Sequence, residues 1–319
     1  MNPKHPRYQE LRESLYRVKA GYAGEKIADK YLARCQFNVP VTILTDVQLL
    51  MEKDIRIQLD TLLITPSGLF ILEVKNIAGR LICRTNPPHV ECQYENRPPI
   101  VMECLHMQTE NSRQYLQKWL TEEGFEIPIQ SLIVLASQKT SVHHAPSDLT
   151  LVYAKHLPLY FQSNPFEKTV LSIQQIKSLT RKFTNQQSVY NPFPLSEYFN
   201  IDVNDLTPGC ICEVCYSPLR RLSERKWLCK GCGNITKFAT KRAVYEYFAV
   251  FDRELSRKKC KEFFGVENNP AKHILKNLPL QLSGNGKSVL YHIEERILSK
   301  ELLSRQPESN PQSVPAPAE

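Results

Sequence analysis

Two acids and a lysine fall within a short and otherwise apolar stretch: Asp60 heads DTLLIT, and Glu73 and Lys75 sit two apart in FILEVKN. Side chains alternate across a strand, so Glu73 and Lys75 point to one side of a sheet. Pro66, Ser67 and Gly68 between the two runs are turn formers, and a hairpin there lays Asp60 beside Glu73. Carboxylates crowded on an apolar sheet repel one another and lose hydration. A divalent cation removes that penalty. Mg2+ takes oxygen ligands and keeps several waters, which leaves room for a scissile phosphate and an attacking water. The ion would lower the pKa of that water and shield charge developing at phosphorus. Lys75 would orient or deprotonate the water, or stabilise the same charge. Taken alone the spacing is a weak signal, because strand-end acids paired with Lys75 or Arg80 on a solvated face give the same letters.

The second constellation is sulfur. Of ten cysteines, five crowd into residues 210–232 as C-x-C-x2-C, thirteen residues, then C-x2-C. Two C-x2-C knuckles at this distance suit a tetrahedral structural Zn2+ held by Cys212, Cys215, Cys229 and Cys232, with Cys210 a spare that could replace Cys212. Gly231 and Gly233 give a knuckle its backbone freedom. A strand is expected at 223–228, with Leu219 and Trp227 as apolar contacts. The segment resembles a zinc ribbon; four thiolates leave no open position for catalysis. The clustering also argues against a disulfide framework and for a reducing compartment.

The third is basic. Net charge is +8, and residues 209–303 hold 18 Lys and Arg against 10 Asp and Glu, while the rest of the chain is balanced. Such a block suits a surface that neutralises phosphates, or one kept soluble by charge. Val244, Phe248, Phe251 and Leu255 mark a helix. Ser256 caps a second that stops at Gly265, and Asn268, Asn269 and Pro270 start a third. Apolar runs at 280–282 and 288–293 flank a Gly-rich turn. Three helices and a hairpin look like a winged helix-turn-helix, with 271–278 as its recognition helix. Lys272, His273, Lys276 and the wing residue Lys287 are then the nucleic-acid contacts.

The elements that must position the acids lie upstream. A helix is expected at 22–35, strands at 41–44, 58–65 and 69–75, and a third meander strand at 81–84. Residues 86–103 hold four prolines and read as an irregular excursion or short hairpin. A long helix at 104–122 follows, then buried strands at 131–136 and 150–154 and helices at 157–162 and 173–183. This is an α/β order. Residues 185–208 are rich in Asn, Pro and Ser and read as a linker; residues 304–319 lack the apolar content to fold. The division is therefore 1–184, linker 185–208, ribbon 209–238, basic module 239–303 and tail 304–319. No long apolar run appears, so no membrane partner and a cytoplasmic location are expected.

Four spaced blocks, in order, resemble the nuclease-related domain (NERD) family of the restriction-endonuclease-like PD-(D/E)xK superfamily. They are Gly21 to Glu25, Gln58 to Ile64, Gly68 to Asn76 followed by Gly79, and Gln108 with Asn111. Together they span roughly residues 20–155. The resemblance implies a restriction-endonuclease-like αβββαβ core with Glu25, Asp60, Glu73 and Lys75 at the family's catalytic positions. Gln58-Leu59 stands where the superfamily commonly has proline before the aspartate, and the proline is not a ligand. Glu25 shares a helix face with Ala28 and Leu32, so an acid there needs a partner; a first-turn acid favoured by the helix dipole is the plain alternative. Gln108 lies one turn from Leu105 and Ser112, within reach of a water or phosphate, or it is a buried amide bonded to backbone. The expectation is a Mg2+-dependent nuclease hydrolysing DNA. The other reading is a non-catalytic DNA-binding or regulatory protein that retains the fold.

Overall fold

The computed structural model describes residues 4–50, 56–95, 98–185, 192–223, 226–237, 239–266, 268–294 and 297–298. The chain divides into two compact units: Glu10–Tyr190, and Asn191–Glu319 together with Met1–Gln9.

The first unit opens with α1 (Tyr8–Leu32), β1 (Thr42–Leu50), β2 (Arg56–Thr65) and β3 (Gly68–Lys75). It continues through β4 (Gly79–Thr85), β5 (Pro88–Gln93), β6 (Ile100–Met102), α2 (Leu105–Glu122), β7 (Ile129–Leu135), β8 (Thr140–His143) and β9 (Leu151–Tyr153), and closes with α3 (Leu157–Ser163) and α4 (Ile173–Asn185). The main sheet runs β1-β2-β3-β7-β9. Its first three strands are antiparallel, and β7 and β9 join parallel to β3. Alternation along the strands separates two apolar layers. Leu62, Ile64, Leu69 and Ile71 pack with Leu116, Trp119 and Leu120 of α2 and Phe183 of α4. Leu63, Phe70, Leu72 and Val74 pack with Ala28 and Leu32 of α1 and Phe161 of α3. With both faces covered, the strands read as near-continuous apolar runs, which is why an acid inside one of them stands out.

Several expectations are corrected. The first helix begins at Tyr8, and the strand expected at 41–44 continues to Leu50. The 81–84 run is no meander strand of the main sheet. β4 pairs instead with β5 and, in parallel, with β8, in a second sheet ordered β6-β5-β4-β8. The edge of β3 that it would have met is taken by β7. The proline-bearing stretch at 86–103 resolves into β5 and β6, where buried Val90 and Cys92 alternate with more exposed neighbours.

The second unit holds α5 (Leu195–Tyr198), β10 (Leu219–Arg221), β11 (Trp227–Cys229), β12 (Ile235–Thr236), α6 (Ala239–Val250) and β13 (Leu255–Ser256). After these come α7 (Arg257–Phe264), α8 (Asn268–Lys276), β14 (Gln281–Ser283) and β15 (Leu290–His292). Two three-stranded sheets form, β10-β11-β12 and β13-β15-β14. Ser256 caps α7 by accepting from the Lys259 amide at 3.1 Å, and Gly265 ends it in the left-handed region at φ 60°. Leu255 lies in a strand rather than a helix, and the strand expected at 223–228 is confined to Trp227–Cys229, with Leu222 and Ser223 turning back onto the Lys226 carbonyl. Trp227 and Cys210 of the cysteine segment share one core with Val244, Phe248, Cys260 and Leu275. The stretch expected as linker contains α5, and the hydroxyl of buried Ser196 donates to the Phe251 carbonyl. The tail at 304–319 lies outside the described residues. No helix among the described residues is long and apolar enough to cross a membrane.

Candidate active site

Asp60 and Glu73 meet because the hairpin brings β2 back along β3. Thr65 pairs with Gly68 and Thr61 with Leu72. Gly68 has φ +138°, and a Cβ there would lie 2.4 Å from the Pro128 carbonyl oxygen, so the turn requires glycine. The β2–β3 pairing ends at Thr61, and past it the Val74 amide donates to Asp60 Oδ2 at 2.7 Å. Asp60 thus occupies the point where the two strands separate.

Glu73 is buried at 6% exposure, and its Oε1 accepts from Lys75 Nζ at 2.7 Å and from Gln108 Nε2 at 2.9 Å. Lys75 Nζ also donates to Gln108 Oε1 at 2.8 Å. The three side chains close a ring of hydrogen bonds between β3 and α2. The amide of Gln108 uses its donor and acceptor ends at once, which fixes its orientation. Gln108 is therefore bonded to the two site side chains and not to backbone. Asn111, one turn on, is exposed.

Glu25 approaches from α1. Gly24 beside it lets the helix come down on the end of β3: a Cβ at Gly24 would sit 2.6 Å from Asn76 Cβ, and Asn76 Nδ2 donates to the Ala20 carbonyl at 2.8 Å. Gly21 meets nothing within 4 Å of a built Cβ, so this approach explains only the second glycine of the pair. The Glu25 carboxyl is raised above its ordinary range by burial, then by the nearby charges of Asp46 and Asp29, and more weakly by Glu73. Asp60 is pushed up to about 7, first by burial and then by Glu73, with Glu25 adding to the effect; the Val74 amide and Lys75 oppose it. Glu73, Lys75 and Gln108 are joined directly, Asp60 is tied to β3 through the Val74 amide, and Glu25 is linked to them only through its charge.

Asp46 was missed. It stands opposite Asp60 by register, between the pairs Thr45 with Thr61 and Val47 with Leu59, at φ 50°. Its Oδ1 accepts from Gln48 Nε2 at 3.1 Å and Gln58 Nε2 at 2.9 Å. The strand expected to end at 44 hid it; the alternation of buried Val47 and Leu49 was the available signal.

Asp60 Oδ1 and Glu73 Oε2 carry no hydrogen bond among the described residues, and burial, with repulsion between the acids added to it, raises Asp60 and Glu25.

Residues 20–136 match the family model described as nuclease-related domain, NERD. Over this segment the chain is similar to the nuclease-related domain. The NERD match starts on α1 and ends just past β7, and it takes in Glu25, Asp60, Glu73, Lys75 and Gln108. It stops short of the cysteine segment and of the whole second unit. Comparison with curated proteins and with solved structures gave no match.

Downstream of the NERD segment, Cys212, Cys215, Cys229 and Cys232 present sulfurs that all lie within 4.8 Å of one another, a donor set that fits a metal ion. The two knuckles repeat one turn: the Tyr216 amide donates to the Cys212 carbonyl at 3.0 Å, and the Gly233 amide to that of Cys229 at 3.0 Å, with both Tyr216 and Gly233 at positive φ. The amides of Gly231 and Cys232 point at Cys229 Sγ at 3.3 and 3.4 Å. A Cβ on Gly231 would meet Ser217 Oγ at 2.7 Å. Cys210 stands outside the cluster, packed in the core, and burial pushes its thiol up to about 12. Bonds from Ser217 draw Cys215 down to about 6. Cys212, not Cys210, completes the set.

On α8, Ala271 and Leu275 face the core while Lys272, His273 and Lys276 are exposed. The side chain of Lys287 lies outside the described residues.

Proposed function

We propose that the chain is a Mg2+-dependent nuclease that hydrolyses phosphodiester bonds in DNA. One observation carries the reading: in the segment similar to NERD, buried Glu73 and half-buried Lys75 and Gln108 are locked together beside an Asp60 that burial and Glu73 push up to about 7. Asp60 and Glu73 are the ligands for the ion, with Glu25 as the third acid nearby. A bound Mg2+ would supply Lewis-acid activation of water and shielding of the phosphate. Lys75 has three N–H donors, of which Glu73 and Gln108 take two. The third is left for the phosphate or the attacking water, where it stabilises developing negative charge. Gln108 holds the lysine in that pose.

In the second unit, Zn2+ on Cys212, Cys215, Cys229 and Cys232 is a structural ion, because four thiolates fill a tetrahedral shell. The order α6, β13, α7, α8, β14, β15 supports a winged-helix reading, with α8 as the element that grips the duplex through Lys272, His273 and Lys276. The test is cleavage of plasmid and linear DNA by the purified chain with Mg2+, beside Asp60→Ala and Lys75→Ala. Cleavage lost in both variants is expected. No cleavage on any substrate, or equal cleavage by the variants, overturns the reading and leaves a non-catalytic DNA-binding protein.

A further inference from the structure

A cleft of about 200 Å³ opens at the C-terminal ends of β7 and β9, against α1. It is lined by buried Leu135 and Ala136, half-buried Tyr31 and Tyr153, and exposed Lys30, Lys155 and Gln138. Open α/β sheets bind ligands beyond the carboxyl ends of their strands, which is where this cleft lies. It also adjoins the acids. Leu135 pairs with Lys75, the Ala136 amide donates to the Lys75 carbonyl at 2.9 Å, and Lys30 and Tyr31 are on the helix that carries Glu25.

Three features say what the cleft takes. Neither Lys30 nor Lys155 has an acid partner among the described residues; Asp29, next to Lys30, is within 3.5 Å of Lys26 instead. Both tyrosine rings already have a cation near one face, Arg34 over Tyr31 at 5.2 Å and Lys155 over Tyr153 at 6.0 Å. The Tyr153 hydroxyl is spent on the Thr140 carbonyl at 2.5 Å, so the residue offers its ring and not its oxygen. Two tyrosines and aliphatic side chains, with two exposed cations lacking an acid partner among the described residues and one amide, match an unstacked base with its phosphates. At about 200 Å³ the cleft is smaller than the roughly 300–1,000 Å³ of drug-sized pockets, which leaves room for a base with its phosphates outside.

We infer that the cleft is a subsite for a single unpaired nucleotide beside the cleaved phosphate, so that the enzyme works on single strands or frayed ends in preference to closed duplex. This rests on the nuclease reading for its place in catalysis, but not for binding itself. A base held in a stack cannot enter such a cleft without being unpaired, at a penalty that a single strand escapes.

The experiment is fluorescence anisotropy with the full zinc-loaded chain and no added Mg2+, comparing a short labelled single strand with a hairpin duplex of the same sequence across a salt series. The variants are Lys30→Ala with Lys155→Ala, Tyr153→Leu and Tyr153→Phe. Two lost phosphate contacts should lower the single-strand salt slope by about 1.4 and weaken binding about tenfold or more at low salt, leaving the duplex unchanged. Tyr153→Leu should weaken single-strand binding, while Tyr153→Phe, which keeps the ring, should not. Equal losses on both substrates, no loss on either, or equal effects of Leu and Phe overturn the subsite. A chain that cuts nothing yet shows the selective loss retains the subsite and refutes the nuclease; a chain that cuts DNA but binds both forms as its lysine variant does the reverse.

Discussion

Replacing Asp60 by Asn should make the metal-free first unit more stable, not less. In the wild type, burial and the neighbouring Glu73 and Glu25 lift Asp60 from 3.8 to about 7. A carboxyl whose pKa rises on folding binds more protons folded than unfolded between those two values. Its contribution to stability is therefore neutral below the unfolded value and turns increasingly unfavourable as pH climbs to the folded one. The full span corresponds to about 4 kcal/mol above pH 7, a ceiling because compact denatured chains already shield part of the charge. Asn keeps an oxygen for the Val74 amide and carries no charge. Hydrogen exchange of the β2 and β3 amides, corrected for intrinsic rates, reads this directly. The wild-type opening free energy should fall from pH 4 to pH 7 and then level, and the Asn variant should keep only the smaller fall that Glu25 contributes. Adding Mg2+ at pH 8 should restore the wild type and leave the variant unmoved. Wild-type stability that rises across this window, or a variant less stable than wild type at pH 8, refutes the electrostatic reasoning.

Gly24→Ala should destabilise the first unit by about 1–3 kcal/mol in thermal unfolding, because the added methyl has 2.6 Å to Asn76 Cβ and neither helix nor strand end can yield freely. Gly21→Ala, in open space, serves as its control and should raise stability slightly through helix propensity. Cys215→Ser should lose bound zinc and unfold the cysteine segment, whereas Cys210→Ser should retain one zinc per chain by atomic absorption. Lys272→Ala with Lys276→Ala should reduce the salt slope for duplex binding by about 1.8 without changing the zinc content.

The sequence exposes what local chemistry writes into it. Asp60, Glu73 and Lys75 show because each interrupts a strand buried on both faces, and the cysteines because their spacing is fixed by one ion. Ser256 and Gly265 mark the ends of α7 as capping residues should. Pairing over distance is less visible. Nothing local in β4 says that it leaves the main sheet for β5 and β8, since the competitor that displaces it, β7, lies some fifty residues further on. The buried alternation of Val90 and Cys92 is short and hemmed by prolines. Asp46 stays hidden because its strand carries polar residues on the face toward Gln58, and its relation to Asp60 exists only in the register. The shared core of Trp227 with Phe248 likewise makes one body of segments that composition separates.

Whether Asp60 and Glu73 hold one divalent ion is tested most directly with Mn2+ in place of Mg2+, titrated into the zinc-loaded chain and followed by electron paramagnetic resonance. One bound Mn2+ is expected for the wild type, displaced by excess Mg2+, and lost in Asp60→Asn and in Glu73→Gln while the cysteine zinc remains. Mn2+ binding that is unchanged in both variants contradicts the site.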